Sequence, residues 1–259
     1  MTAVEGILFD IDGVLVTSWH PIDGAADAVR EVRDRGLACA YLTNTTSRTC
    51  DEIAGALRNA GIDTEPGEIV TAARLTAEYL RTTYPGARAW VLNNGDITPD
   101  LAGIELDEDD PQVVVLGGAG PEFTHRALSR VVELMLDEVP VVAMHRGTTW
   151  ATRDGLCIDT GAYLPGLEEI AGTNVVSVGK PSLAAFLTAT ELMGTDPEAA
   201  VMVGDDLTGD VLAAQRVGLT GALVRTGKFR QSILDLAVQR PDHVIDSVTQ
   251  LPELLDRLA

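Results

Sequence analysis

Hydrophobic residues along the chain fall into two patterns that alternate from end to end. Short apolar runs that end at polar residues are typical of buried strands, and longer stretches with an apolar residue every three to four positions are typical of amphipathic helices. The predicted strands are 6–10, 37–42, 89–92, 113–116, 141–144, 175–178, 200–203 and 221–224. The predicted helices are 22–35, 47–60 with Ser47 as its cap, 72–83, 123–137, 162–171, 182–193, 208–217 and 248–258. This alternation predicts an α/β fold built on parallel strands.

The middle of the chain has an alternation of its own. Its three predicted strands, 89–92, 113–116 and 141–144, are hard to fit into one sheet with the outer strands. We therefore predict a Rossmann-like, doubly wound parallel sheet core made of residues 1–76 and 177–259, with an α/β domain inserted at 77–176. A chain of 259 residues is long enough for a core and a smaller second domain.

The composition excludes several classes of protein. Hydrophobic residues make up 46% of the chain, yet no window holds the roughly 18 apolar residues that a membrane span needs. The N-terminus lacks the basic region of a secretion signal. Cys39, Cys50 and Cys157 are odd in number and far apart, which argues against a disulfide framework and against a zinc site. We expect a cytoplasmic protein without a membrane partner.

The formal net charge of −20 argues against nucleic acids as partners, because they bind basic surfaces. Any anionic substrate must be held by a few locally placed cations. Of the 19 basic residues, 17 are arginines, and the two lysines are Lys180 and Lys228. The sequence leaves open whether the protein forms a homodimer.

Four polar segments lie at the ends of predicted core strands. They are Asp10-Ile11-Asp12-Gly13, Thr43-Asn44, Gly179-Lys180-Pro181 and Gly204-Asp205-Asp206-Leu207-Thr208-Gly209-Asp210. The carboxyl ends of parallel strands form the edge of an open sheet at which ligands bind. Each segment alone is a weak signal, since an acidic run at a helix start is often a cap. Their shared position at strand ends favours one composite site.

The chemistry of these segments is coherent. Converging carboxylates repel one another unless a cation lies among them, and oxygen ligands without His or Cys favour a hard ion such as Mg²⁺. Lys180 would offset the remaining negative charge and hold phosphoryl oxygens, and Gly13 would let the backbone approach a phosphate. A carboxylate neutralised in this way can attack phosphorus and form an aspartyl-phosphate.

The four segments resemble the motifs of the haloacid dehalogenase superfamily, which are D-x-D-G, T-N, K-P and G-D-D-x-x-x-D in the same order. The resemblance implies that Asp10 is the nucleophile and an Mg²⁺ ligand. Asp12 would be the general acid and base, with its backbone carbonyl on the metal. Thr43 and Asn44 would bind phosphoryl oxygens, and Lys180 would stabilise both Asp10 and the phosphoryl group.

The same resemblance assigns the acidic run. It implies that Asp205 is the carboxylate ligand of the metal, with Asp206 and Asp210 behind the ligands. Whether either of these two touches the metal directly stays open.

Motif spacing places the inserted domain. Asp12 and Thr43 are 31 residues apart, which leaves room for a flap and a helix, whereas Thr43 and Lys180 are 137 residues apart. The insertion therefore lies between the second and third motifs. This arrangement resembles the large α/β cap branch, which includes phosphatases of N-acetylglucosamine phosphate, pyridoxal phosphate, phosphoglycolate and nitrophenyl phosphate. The segment Val224-Arg-Thr-Gly-Lys-Phe-Arg230 resembles phospholysine phosphohistidine inorganic pyrophosphate phosphatases and places Lys228 near the edge of the site.

Substrate specificity is expected to reside in the cap. The turn-rich segment 145–161 combines Arg146, Trp150 and Arg153 with hydroxyl side chains, a mixture that suits a small polar or anionic group. A plain hairpin with surface arginines is the alternative. The Trp19-His20 flap is the other candidate for covering the site.

We expect an Mg²⁺-dependent phosphatase that hydrolyses a small phosphorylated metabolite through an aspartyl-phosphate on Asp10. The alternatives are a weak or inactive ligand-binding relative and a hydrolase of P–N bonds or of pyrophosphate. A second aspartate at Asp12 argues against dehalogenase chemistry, and no P-loop for a nucleotide-dependent kinase is present.

Overall fold

The computed structural model describes residues 3–152 and 155–258. The chain divides into two compact units. The first unit comprises Met1–Thr43, Cys50–Val70 and Lys180–Ala259, and the second comprises Asn44–Thr49 and Thr71–Gly179. The second unit thus starts before residue 77 and ends after residue 176, and it also takes up residues 44–49.

Fourteen strands are formed by the described residues. They are β1 (Gly6–Phe9), β2 (Val16–Thr17), β3 (His20–Pro21), β4 (Ala38–Thr43), β5 (Ile69–Thr71), β6 (Ala89–Leu92), β7 (Val113–Leu116), β8 (Val141–Ala143), β9 (Thr149–Thr152), β10 (Gly155–Ile158), β11 (Val176–Ser177), β12 (Ala200–Gly204), β13 (Thr220–Val224) and β14 (His243–Ile245).

The same residues form nine α-helices. They are α1 (Ala25–Asp34), α2 (Cys50–Asn59), α3 (Ala72–Thr83), α4 (His125–Leu136), α5 (Leu164–Ala171), α6 (Leu183–Met193), α7 (Leu212–Gln215), α8 (Gln231–Leu236) and α9 (Leu251–Leu258). None of these helices is long and apolar enough to cross a bilayer.

The first unit is built on a six-stranded sheet in the order β14-β13-β12-β1-β4-β5. Its central strands pair in parallel, with Phe9 of β1 opposite Val203 on one side and Tyr41 on the other. The strands β1 and β12 are buried along their whole length, which explains why both appear as continuous apolar runs in the sequence. The parallel register brings the residues that follow β1, β4, β12 and β13 to one edge.

The second unit has a four-stranded sheet in the order β11-β8-β7-β6, in which neighbouring strands pair in parallel. Helices α4 and α5 pack together, and Val131 of α4 and Leu164 of α5 are buried in the core of this unit. Strands β9 and β10 form a separate antiparallel hairpin. The predicted α/β fold with a parallel sheet is therefore confirmed.

Several local predictions differ from the structure. Ser47 does not cap α2, which begins at Cys50, because residues 44–49 belong to the second unit, where the Thr46 hydroxyl accepts from the Gly118 N–H at 3.0 Å. The helix predicted at 208–217 is a π-helical turn, Leu207–Val211, continued by α7. The short strands β5 and β14 and the helix α8 were not predicted.

Candidate active site

The site begins where β1 ends. Asp10 is buried, and its backbone N–H donates to the Val203 carbonyl at 2.9 Å, which extends the pairing with β12 by one residue. The backbone then closes a tight turn, since the N–H groups of Val14, Leu15 and Val16 all lie within hydrogen-bonding distance of the Ile11 carbonyl. This turn places Asp10, the candidate nucleophile, at the carboxyl edge of the sheet.

Asp12 lies on the open side of the turn. Its side chain is exposed, and its Oδ1 accepts a hydrogen bond from the Ser18 N–H at 3.2 Å. Ser18 and Trp19 connect β2 to β3 with positive φ angles of 49° and 64°, a conformation that disfavours residues other than glycine. The strained hairpin therefore holds one oxygen of Asp12 in place and leaves the other side of the carboxylate open to solvent.

Lys180 joins two of the predicted carboxylates. Its Nζ lies 2.6 Å from Asp10 Oδ1 and 2.8 Å from Asp210 Oδ1, and all three side chains are buried. Burial opposes the charged ammonium, but Asp10 and Asp210 outweigh it and hold the pKa of Lys180 above its ordinary value. Lys180 is therefore held as a cation between Asp10 and Asp210.

The aspartates of the acidic run after β12 make different contacts. Asp206 Oδ1 accepts from the N–H groups of Thr208 and Gly209 at 3.0 and 2.8 Å and so caps the helical turn. Asp210 Oδ2 lies 3.2 Å from the Asp206 N–H, while its other oxygen binds Lys180. Both side chains thus make contacts within the site, and their place behind the metal ligands stays a prediction.

Asp205 has a different environment. Its Oδ2 accepts from the Lys228 N–H at 2.7 Å, whereas its Oδ1 is buried and accepts no hydrogen bond from the described residues. Burial, followed by the charges of Asp10 and Asp210, raises the pKa of Asp205, and burial followed by Asp210 raises the pKa of Asp10. In both carboxylates, burial and the neighbouring negative charges outweigh the lysine charges, which act in the opposite direction.

These carboxylates fit a hard divalent cation. One oxygen each of Asp10, Asp205 and Asp210 lies within 4.8 Å of the others. The donors are all oxygens, and the buried Oδ1 of Asp205, which accepts no hydrogen bond from the described residues, is a donor atom suited to such an ion. The residues present therefore match the Mg²⁺ predicted from the sequence.

Two glycines allow the backbone to lie close to Asp205. A Cβ atom at Gly13 or at Gly227 would lie 2.0 Å from Asp205 Oδ2, and both glycines have positive φ angles, 88° and 59°. The Thr226 hydroxyl, from the same loop after β13, donates to the Gly13 carbonyl. The sequence placed Lys228 near the edge of the site but gave no role to Thr226 and Gly227, whose signal is a Thr-Gly pair one residue after a strand.

Thr43 and Asn44 are the two residues predicted to bind phosphoryl oxygens. Thr43 is the last residue of β4, is buried, and closes the first segment of the first unit. Asn44 opens the first segment of the second unit. The structure therefore brings Thr43 to the same sheet edge as Asp10.

Of the residues predicted to give the cap its specificity, the structure describes the side chain of Arg146. The guanidinium of Arg146 binds both carboxylate oxygens of Glu168 at 2.9 Å and the Val175 carbonyl at 3.0 Å, so it is used to hold the second unit together. The Trp150 side chain and Arg153 lie outside the described residues. Strands β9 and β10 show that the predicted turn-rich segment contains a hairpin.

Comparisons with known proteins agree with this geometry. A sequence model of haloacid dehalogenase-like hydrolases matches residues 7–107, and a HAD-hydrolase-like model matches residues 177–251. The human haloacid dehalogenase-like hydrolase domain-containing protein 2 is 34% identical over 89% of this chain and 87% of its own length. The rat phospholysine phosphohistidine inorganic pyrophosphate phosphatase is 31% identical over 98% of this chain and 95% of its own length.

The structural comparison covers both units. NagD from Escherichia coli K-12 superimposes with a TM-score of 0.86 at 30% identity, over 96% of this chain and 98% of its own. The likeness thus extends across the inserted second unit, which corresponds to the cap. The chain belongs to the haloacid dehalogenase-like hydrolases, in the capped branch that contains NagD.

Proposed function

We propose that this hydrolase is an Mg²⁺-dependent phosphatase that transfers the phosphoryl group of a small phosphorylated metabolite to Asp10 and then to water. The observation that carries the proposal is the environment of Asp10. Its carboxylate is buried at the strand edge, is paired with Lys180 at 2.6 Å and shares a possible metal position with Asp205.

In the first step, a carboxylate oxygen of Asp10 attacks phosphorus, and the bond from phosphorus to the leaving-group oxygen breaks. Lys180 holds Asp10 in place through Oδ1, and the buried Thr43 and the backbone at Gly13 would cradle the phosphoryl oxygens. Asp12 donates a proton to the departing oxygen, a task that fits its exposed position on the open side of the turn.

In the second step, the Asp12 carboxylate takes a proton from water, and the water oxygen attacks phosphorus. The bond between phosphorus and Asp10 breaks, so that phosphate leaves and both carboxyl groups return to their starting states. A bound Mg²⁺, held by Asp10 and Asp205, would neutralise the charge that gathers around the phosphoryl group. Asp206 and Asp210 would keep the loop and Lys180 in position.

A second substrate class is supported by one relative. The rat protein is named for phospholysine, phosphohistidine and inorganic pyrophosphate, so hydrolysis of P–N bonds or of pyrophosphate is the alternative reaction. The same Asp10 chemistry serves either class, because the nucleophile attacks phosphorus regardless of the leaving atom. An inactive ligand-binding role is disfavoured, because Asp10, Asp12, Lys180 and Asp205 are all present.

The test is the substitution Asp10→Asn, assayed with p-nitrophenyl phosphate and Mg²⁺. The amide cannot attack phosphorus, so we expect a loss on the order of 10⁴-fold or more in kcat. Asp34→Asn, at the exposed end of α1, is the matched control and should behave like the wild type.

Acid quenching of the wild type during turnover should trap one phosphoryl group on the peptide that contains Asp10, detectable by mass spectrometry. Near wild-type turnover by Asp10→Asn would reject the proposed nucleophile.

A further inference from the structure

The loop after β13 is fixed against the centre of the site. The Lys228 N–H donates to Asp205 Oδ2 at 2.7 Å, and the Thr226 hydroxyl donates to the Gly13 carbonyl. Gly227 packs on Gly13, since a Cβ atom there would lie 2.6 Å from the Gly13 Cα. The backbone of Lys228 is therefore held against Asp205 and beside Gly13.

The two lysines of the chain differ in what they bind. Lys180 is buried, and its Nζ contacts the carboxylates of Asp10 and Asp210 at 2.6 and 2.8 Å. The Lys228 side chain is exposed, and within the described residues no carboxylate oxygen lies within 4 Å of its Nζ. The second ammonium is therefore available to a ligand.

Lys228 nevertheless faces the site. Its backbone N–H donates to Asp205 Oδ2 at 2.7 Å, and the negative charges of Asp10, Asp205 and Asp210 act on its ammonium group. It lies within electrostatic reach of the nucleophile without being neutralised by it.

The neighbouring arginines are directed elsewhere. The Arg225 guanidinium lies 3.7 Å from Asp246, and the Arg230 guanidinium donates to the carbonyls of Lys228 and Phe229 at 3.2 and 3.0 Å. Lys228 is thus the cation of this loop that remains for the substrate.

The burial of the groups around the phosphoryl position indicates which part of the substrate Lys228 would contact. The groups that would hold the phosphoryl group, Lys180 and Thr43, are buried, whereas Asp12, which would protonate the leaving group, is exposed. The leaving group must therefore lie on the solvent side of the phosphorus atom. The Lys228 side chain is exposed as well, on the loop that contacts Asp205 and Gly13.

We infer that Lys228 binds a negatively charged group on the leaving group of the substrate, such as a carboxylate or a further phosphate. This inference rests on the proposed phosphatase function. In a protein of net charge −20, with Asp12 exposed and Asp206 partly exposed beside the site, an anionic leaving group would otherwise be repelled. A single exposed ammonium offsets this repulsion and selects for charge rather than for shape.

The test uses three aryl phosphates that differ in one para substituent. 4-Carboxyphenyl, 4-carbamoylphenyl and 4-(aminomethyl)phenyl phosphate carry leaving groups that are anionic, neutral and cationic. The quantity measured is the ratio of kcat/KM between compounds, for the wild type and for Lys228→Met and Lys228→Glu. Arg225→Met is the control, because it removes one charge from the same loop while leaving the site untouched.

The wild type and Arg225→Met should prefer the anionic compound. Lys228→Met should lose this preference, by on the order of tenfold in the ratio, and Lys228→Glu should prefer the cationic compound. A reversal of preference cannot arise from a merely damaged fold.

Equal losses on all three compounds, or unchanged ratios in both Lys228 variants, would overturn the inference while the phosphatase proposal stands. Absence of turnover of every compound by the wild type would reject the proposed function and this inference together.

Discussion

Gly13 and Gly227 face each other across the carboxylate of Asp205. Each has a positive φ angle, and at each a Cβ atom would lie 2.0 Å from Asp205 Oδ2. Atoms cannot approach so closely, so any larger residue must displace the carboxylate or the loop. The close approach of two backbones is therefore what gives Asp205 its place in the site.

Gly227→Ala should separate this effect from ordinary backbone strain. We expect a loss of at least about 10²-fold in kcat/KM, because a misplaced ligand or loop disturbs the position of the reacting groups. Gly36→Ala is the matched control: Gly36 has a φ of 78°, but a Cβ atom there meets nothing within 4 Å. It should cost about 1–2 kcal/mol of stability and leave the activity intact.

The measurements are steady-state kinetics with p-nitrophenyl phosphate and urea unfolding of both variants. Equal activities for the two variants would show that the contact at Asp205 has no catalytic consequence.

At the scale of elements, a strand or helix could be predicted from the sequence when its own residues show a clear pattern of burial. Strands β1, β7 and β12 were predicted because they are buried along their whole length and form continuous apolar runs that end at polar residues or at glycine. The three-residue strand β14 escaped prediction because its Val244 is exposed and it lacks an apolar run. The helix α8 escaped for a similar reason, since Ile233 and Leu236 are exposed and blur its amphipathic pattern.

Contacts distant in sequence could not be predicted from local patterns. The start of α2 was misplaced because Thr46 binds Gly118, 72 residues away. Arg146, predicted to contact substrate, pairs with Glu168, which lies 22 residues away on α5. The core motifs of the site were predictable because each is a short segment at a strand end, where parallel topology alone decides the position.

A cluster of side chains around Tyr41 in the first unit makes the stability of the fold depend on alkaline pH. Tyr41 on β4 stacks on Phe9 with ring centres 5.8 Å apart, and its hydroxyl lies 3.4 Å from Arg33, which also binds Glu68. Burial raises the pKa of Tyr41 to about 12 and the pKa of the neighbouring Cys39 to about 11, and Arg33 only partly offsets this.

Alkaline pH should therefore destabilise the protein. The folded state keeps its protons to higher pH than the unfolded chain, so the contribution is complete below the ordinary pKa and is lost as the pH rises toward 12. For Tyr41 the loss should be about 2–3 kcal/mol. Tyr41→Phe should flatten the decline above pH 10, whereas Tyr163→Phe, a partly exposed tyrosine of the second unit, should not.

Urea unfolding at a series of pH values from 8 to 12 measures this decline. The same slope in the wild type and in Tyr41→Phe would exclude the phenol as its cause.

At the scale of the whole molecule, the balance of charge is strongly negative. The chain carries 39 acidic and 19 basic residues, and the first unit buries Asp10, Asp205 and Asp210 together with Lys180. Buried carboxylates of like charge store repulsion that only a cation can relieve. Because a ligand of the folded state stabilises the molecule by mass action, the metal site should be visible in global stability even without substrate.

Mg²⁺ should accordingly raise the Tm of the wild type by several degrees, since a concentration 100 times the Kd contributes about 2.7 kcal/mol. Asp205→Asn should remove most of this increase, because the amide lacks the charge that the ion binds. The same variant should be more stable than the wild type in EDTA, because one member of the repelling cluster is gone. These opposite signs in the two conditions distinguish lost binding from a damaged fold.

Asp206→Asn is the matched control for this experiment. The carbonyl oxygen of asparagine can still accept from Thr208 and Gly209, so the cap of the helical turn is kept and the Mg²⁺ response should persist. Thermal unfolding in EDTA and across a series of Mg²⁺ concentrations measures both variants. If Asp206→Asn lost the response and Asp205→Asn kept it, the ligand would be the neighbouring carboxylate, and the unsatisfied Oδ1 of Asp205 would need another partner.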